Sequence, residues 1–218
     1  MWENVNPSEI WRATSDTLTM VGMSTLFTVL IGLPLGIWMF LSSPGQLLQN
    51  RMIYFAVSLV VNILRSVPFI ILMIMVMPLT KIIVGTSIGV KGAIPPLVIA
   101  AAPFFARLVE TTLREVDRGV IEAAQSMGAS RMQIIFRVLL PEARPGLLAG
   151  ITITAVTLVS YTAMSGVIGG GGLGDLAIRY GFHRFQWDVM IVTVIILVIM
   201  VQLLQNLGDW LVLKFSRK

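Results

Sequence analysis

Cysteine is missing from all 218 residues, which excludes disulfide scaffolds, thiolate metal sites and cysteine nucleophiles. Histidine is almost missing too: His183 stands alone and cannot build a zinc site by itself. Charge is scarce, at 12% of residues, where a soluble domain carries about 25%. No G-x-x-x-x-G-K-[ST] run occurs, so this chain has no phosphate-binding loop of that kind for ATP. No Asp, Glu or His lies near the centre of a long apolar run, which removes the intramembrane acid that a proton-coupled carrier usually needs. What remains is apolar. Hydrophobic residues make up 56% of the chain, with a mean hydropathy of +0.87, the composition of an integral membrane protein. The net charge of +5 then reads as basic residues gathered on a cytoplasmic membrane face, and not as a nucleic-acid footprint.

The apolar runs predict an all-α protein with five transmembrane helices. Leu18 to Leu41 is uncharged over 24 residues, a helix of about 36 Å against a hydrocarbon core of about 30 Å. The preceding MWENVNPSEIWRATSD is acidic, with Arg12 its only basic residue, and lacks the basic start of a cleaved signal peptide. Met52 to Pro78 is the second span, apolar apart from Arg65, and MPLTK reads as the turn after it. The third lies within Ile82 to Ala106 and starts near Gly92, leaving GTSIGVKG as loop. Pro145 to Gly174 holds the fourth, its helix stopping before the Gly-rich GVIGGGGLG, and Val189 to Gly208 the fifth. There is no internal repeat, so residues 1–218 are expected to form one membrane domain.

Orientation follows from the cations on alternate sides of five spans. One side holds Arg51, six arginines from Arg107 to Arg144, Lys214, Arg217 and Lys218; the other holds Arg12, Lys81, Lys91, Arg179 and Arg184. The richer side is cytoplasmic, which puts the N-terminus outside and the C-terminus inside. Trp2, Trp11, Trp38, Trp187 and Trp210 all fall near span ends, where amphipathic rings prefer the interface.

Residues 122–146, EAAQSMGASRMQIIFRVLLPEARPG, form a polar island on the cytoplasmic side between spans three and four. Gly128 is placed to end one short helix with positive φ, and Ser130 with Gln133 has the spacing of a capping box opening a second. Met132, Ile135, Phe136 and Leu139 line one face of that second helix, and Pro141 is expected to end it. Such a segment either lies in anionic headgroups or docks a cytoplasmic partner.

EAA, three residues, Gly128, nine residues and VLLP together resemble the cytoplasmic signature of permease subunits in binding-protein-dependent ABC importers, with Val138 in place of the usual Ile. The resemblance implies that residues 118–145 are a coupling segment seated in an ATPase subunit, with Glu122, Ala123, Ala124, Gly128, Ala129, Leu140 and Pro141 as its coupling residues. NILRSVPFIILMI, VGTSIGVKGAIPPL, AAPFFARLVE and GGGGLGDLAIRYGF are similar to the methionine importer permeases. Membership would imply a bacterial inner membrane location and a homodimer of the permease. It would also imply two ATP-binding subunits carrying ATP and Mg, and an external substrate-binding lipoprotein. A permease for another amino acid is the alternative, with a channel or membrane scaffold behind it.

Arg65 either pairs with carbonyls freed near Pro68, snorkels, or gates. Glu110, Glu115 and Asp117 lie among Arg107, Arg114 and Arg118 at helical spacings, which predicts solvated ion pairs and no hydrolase centre. Gly169, Gly171 and Gly174 satisfy G-x-G-x-x-G formally, but an apolar helix and no strand precedes them, so they read as a turn. SYTAMSG at 160–166 is a pore face or a packing face of the fourth span. Tyr161 and Met164, three apart, are its gate candidates, Met for its flexible, polarizable side chain.

Overall fold

The computed structural model describes residues 5–216; Trp2, Arg217 and Lys218, used above for topology, lie outside them. Asn6 opens α1 (Pro7–Ser42) by accepting a hydrogen bond from the Ser8 N–H at 3.1 Å, with Pro7 in the first turn and Glu9 beside the positive end of the helix dipole. Asn50 caps α2 (Arg51–Ser66), accepting from the N–H groups of Met52 and Ile53, both at 3.1 Å. Pro68 then stops it. The proline ring disfavours the helical conformation at the residue before it, and Val67 is extended, at φ −78° and ψ 127°.

The chain resumes as α3 (Phe69–Val84), bent from α2 by 110°. The second apolar run is therefore two helices set at a sharp angle and not one straight span. MPLTK is not its turn: Pro78 lies inside α3. Thr80, two residues on, donates its hydroxyl to the Val76 carbonyl at 3.1 Å, the i−4 bond by which a threonine satisfies itself inside a helix. The turn comes later, at Gly85, where φ is +80°. Next, α4 (Gly89–Arg114) begins three residues before the expected Gly92 and carries Pro95, Pro96 and Pro103.

The polar middle follows as α5 (Arg118–Ser126), α6 (Arg131–Ile134), a π-helical stretch (Ile135–Leu139) and α7 (Leu140–Glu142). Helix α8 (Arg144–Ser165) leads through a 3-10 turn (Gly166–Ile168) to α9 (Gly172–Leu176), a second π-helical stretch (Ala177–Phe182) and α10 (Trp187–Ser216). Among the described residues, four helices are long and apolar enough to cross a membrane, and five spans result when α2 and α3 count as one broken span. The all-helical expectation with five spans holds in that sense.

Helix α4 is the centre of the bundle, packed against α1, α2, α3 and α8. Its approach to α1 is close because Gly32 and Gly36 face it: a Cβ on Gly36 would stand 2.6 Å from the Val109 Cβ, so only glycine fits. This is the small-residue spacing through which membrane helices bring their backbones together. One core joins Phe40, Phe105, Val109 and Leu113 to Ile121, Ile134, Ile135 and Leu139, fastening the polar middle to the bundle. A second, at the opposite end, gathers Ala13, Val21, Leu173, Leu176 and Val189. On α10, Ile191, Ile195, Val198, Leu203 and Leu207 are exposed, an outward apolar surface suited to lipid or another helix.

Candidate functional site

Helix α5 starts at Asp117, whose carboxylate accepts from the Gly119 N–H at 2.7 Å. It ends in a Schellman motif. The Gly128 N–H donates to the Gln125 carbonyl at 2.9 Å and the Ala129 N–H to the Ala124 carbonyl at 3.0 Å, with Gly128 left-handed at φ +78°. Such a motif wants a small apolar contact between the residue after the glycine and one in the last turn; Ala124 is buried and Ala129 packs against the same core. The E-A-A-x-x-x-G spacing thus has a local physical reason: Ala124, Gly128 and Ala129 make the bend. Glu122 and Ala123 point the other way and are exposed. The capping box forms as expected, Ser130 accepting from the Gln133 N–H at 3.4 Å and the Gln133 side chain accepting from the Ser130 N–H at 2.8 Å.

The second short helix departs from expectation in two ways. Ile134, Ile135 and Leu139 are buried, while Met132 and Phe136 are 61% and 59% exposed; the predicted single face is split between core and surface. Met132 and Phe136, four apart, share the outer edge of that face, while Ile135 and Leu139, also four apart, turn to the core beside Ile134. Nor does Pro141 end the run. It sits in the first turn of α7, where its missing N–H costs least, and Pro141 and Leu140 are half-buried. With Val120 and Met127 also exposed, the segment carries an outward apolar surface beside exposed Glu122. A further cavity of 190 Å³, lined by Gln46, Arg118, Ile121, Glu122 and Gln125, separates α5 from the α1–α2 connection.

Glu110 is not solvated: it is 1% exposed. It pairs with Arg107 at 2.5 Å and Arg114 at 2.6 Å and accepts from the Tyr54 hydroxyl at 3.0 Å. Arg107 also donates to the Asn62 side chain at 2.9 Å. The helical spacing foretold the arginines, but Tyr54, which reaches the carboxylate, and Asn62, which holds Arg107, come from α2, across the bundle. Sequence offered no signal for them.

On α8, SYTAMSG divides between two faces. Thr162 and Ser165 are buried and donate to the carbonyls of Val159 and Thr162, each at 2.7 Å. Met164 is 40% exposed. Tyr161 is half-buried and stacks on Phe69, with ring centroids 4.3 Å apart and planes within 2°. Arg65 ends α2 at the helix break, its guanidinium 5.9 Å from the Phe104 ring centroid. The freed carbonyls near Pro68 do not take it: among the described residues Arg65 forms no hydrogen bond or ion pair.

The bundle segregates its cations by end. Arg12, Arg179 and the Gly171–Gly172 turn line one cavity of 370 Å³, and the Gly89 N–H donates to the Gly169 carbonyl at 2.9 Å, which brings Lys91 to the same end. Arg107 and Arg114 lie with α5 at the other.

Comparison with known proteins bears out the resemblance read in these motifs. The chain is 51% identical over 217 residues to the probable D-methionine transport system permease protein MetI of Vibrio cholerae, covering 100% of this chain and 96% of that one. It is 50% identical over 206 residues to the methionine import system permease protein MetP of Bacillus subtilis, covering 94% and 93%. A solved structure of inward-facing conformations of the MetNI methionine ABC transporter superposes with a TM-score of 0.95 at 46% identity, covering 98% of this chain and 100% of that one. Residues 32–218 match the family model, and the chain belongs to the family of binding-protein-dependent transport system inner membrane components.

Proposed function

We propose that the chain is the membrane-spanning permease subunit of an ATP-driven importer that carries methionine into the cytoplasm. The observation behind the substrate is that identity near one half runs over the whole chain, including the helices that would line a path, and is not confined to the shared signature. Two copies form the pore, since five spans enclose too little space alone. ATP and Mg reside on two cytoplasmic ATPase subunits, and an external substrate-binding lipoprotein delivers the amino acid. The polar middle faces the cytoplasm, with the N-terminus outside.

Residues 118–145 act as the coupling segment. Ala124, Gly128, Ala129, Leu140 and Pro141 set its bend and its seat on the bundle, while Glu122 and Ala123 face the ATPase. Exposed Met127, Met132 and Phe136 support this reading, because apolar side chains held outward on a polar segment favour burial by a partner. Motion of the segment reaches the bundle through the core it shares with α1 and α4. Tyr161 and Met164 stand beside the path, with Met164 able to close an apolar constriction without breaking hydrogen bonds.

Reconstitution tests the assignment. Vesicles containing this chain, its ATPase and its binding protein are expected to accumulate radiolabelled L-methionine on ATP addition, ahead of a panel of other amino acids. Preferential uptake of a different amino acid would reassign the substrate, and ATP-independent flux would support a channel instead.

A further inference from the structure

The break between α2 and α3 opens on a cavity of 120 Å³ whose walls include Arg65, Phe69, Ala100, Phe104 and Tyr161. These residues come from four helices. At the α-helical rise, Arg65 lies about 21 Å along α2 from Arg51, and Tyr161 about 26 Å along α8 from Arg144. Both separations are shorter than a hydrocarbon layer of about 30 Å. An arginine at such depth is costly, and membrane proteins keep one there for a partner or a path. Here no carboxylate of the described chain serves; the guanidinium stands over the Phe104 ring, 5.9 Å from its centroid.

The chemistry of the cavity is divided. One side offers a planar guanidinium, whose donors match a carboxylate in bidentate fashion. The other offers aromatic rings, Phe69 and Tyr161 held rigid by stacking on each other. Aromatic rings attract polarizable sulfur at about 5 Å from the ring. The cavity also sits where a membrane helix is interrupted, and α3 starts there with no side-chain cap on its first N–H groups, the arrangement by which broken membrane helices face anionic substrate groups.

We propose that Arg65 is a substrate-binding residue of the translocation path, taking the α-carboxylate of the permeating amino acid while Phe69, Phe104 and Tyr161 hold its side chain. This rests on the permease reading above and adds a transient intramembrane site to it. The ligand class is a free α-amino acid with an apolar or thioether side chain; an amide or ester of the same amino acid lacks the group that Arg65 recognises.

The test uses the whole complex in nanodiscs, with Ala100→Cys as the only cysteine of this chain and Leu64→Cys, on the same cavity, as the alternative if the first fails to assemble. The rate of alkylation by a small thiol reagent is followed in this chain with L-methionine or L-methioninamide present. Methionine is expected to slow labelling at least fivefold and the amide not to. Arg65→Gln should abolish the protection, leave unliganded labelling and ATPase association unchanged, and lower uptake at least tenfold; Arg65→Lys should restore part of both. Equal protection by the amide, protection that survives Arg65→Gln, or no protection by any of the common amino acids would overturn the proposal. If the native complex accumulates another amino acid in place of methionine, the substrate reading fails separately, and Arg65 is judged with that amino acid and its amide.

Discussion

Two residues of the bundle invite direct tests of opposite kinds. Met164 is partly exposed on α8 and makes no hydrogen bond that its loss would break. Met164→Ala is expected to leave assembly intact and make the resting pore leaky, or to raise the ATP hydrolysed per methionine transported; a double-mutant comparison with Tyr161→Phe shows whether the two act together. Unchanged transport, coupling and leak would make this face a packing face. Glu110 is the contrary case, a buried carboxylate whose partners join α2 to α4. Glu110→Ala removes charge-assisted hydrogen bonds worth roughly 1.5–3 kcal/mol each when buried, discounted here because Arg107 and Arg114 keep access to water. A fall of several degrees in the melting temperature of the purified complex is expected, with Glu110→Gln intermediate. No change in melting temperature would show that α2 and α4 hold without it.

At the scale of elements, the central segment is two short helices made into one unit by a left-handed glycine. Gly128 has open space around its Cα, so a side chain there meets no clash inside this chain; it meets the backbone penalty of positive φ, about 1 kcal/mol or more for a bulky residue. Gly128→Trp should therefore leave membrane insertion intact and misdirect the docking surface. Loss of ATPase association, or hydrolysis without transport, is the expected phenotype in co-purification and vesicle assays. Full transport by Gly128→Trp would remove the coupling role from this bend. The broken span makes the complementary point. Pro68 was visible in the sequence, but whether a membrane helix bends slightly or turns through 110° depends on what receives the second half, and here Phe69 and Met73 are buried in one core with residues of α1, α4 and α8.

For the whole molecule, the cation count predicts a topology that cysteine labelling can check, because the chain has no native cysteine. Single cysteines at Ser8, Thr86 and Gln186 are expected to react with an impermeant maleimide from outside, and those at Gln46, Ser130 and Ser216 only from inside. Inside labelling at position 8 or 186 would reverse the orientation.

Apolar run lengths by themselves determined an all-helical membrane chain with up to five spans, because a backbone in hydrocarbon must satisfy its own hydrogen bonds. Local chemistry determined the Schellman turn at Gly128 and the capping box at Ser130, since both close within a few residues. Only the tertiary structure decided which face of the π-widened segment is buried, that Tyr54 reaches Glu110 while Asn62 holds Arg107, and that Gly32 and Gly36 admit α4. It also decided that Arg65, Phe104 and Tyr161 meet at the helix break. Each of these rests on contacts between helices far apart in the chain, and hydrophobic periodicity along one helix carries no record of which neighbour will cover it.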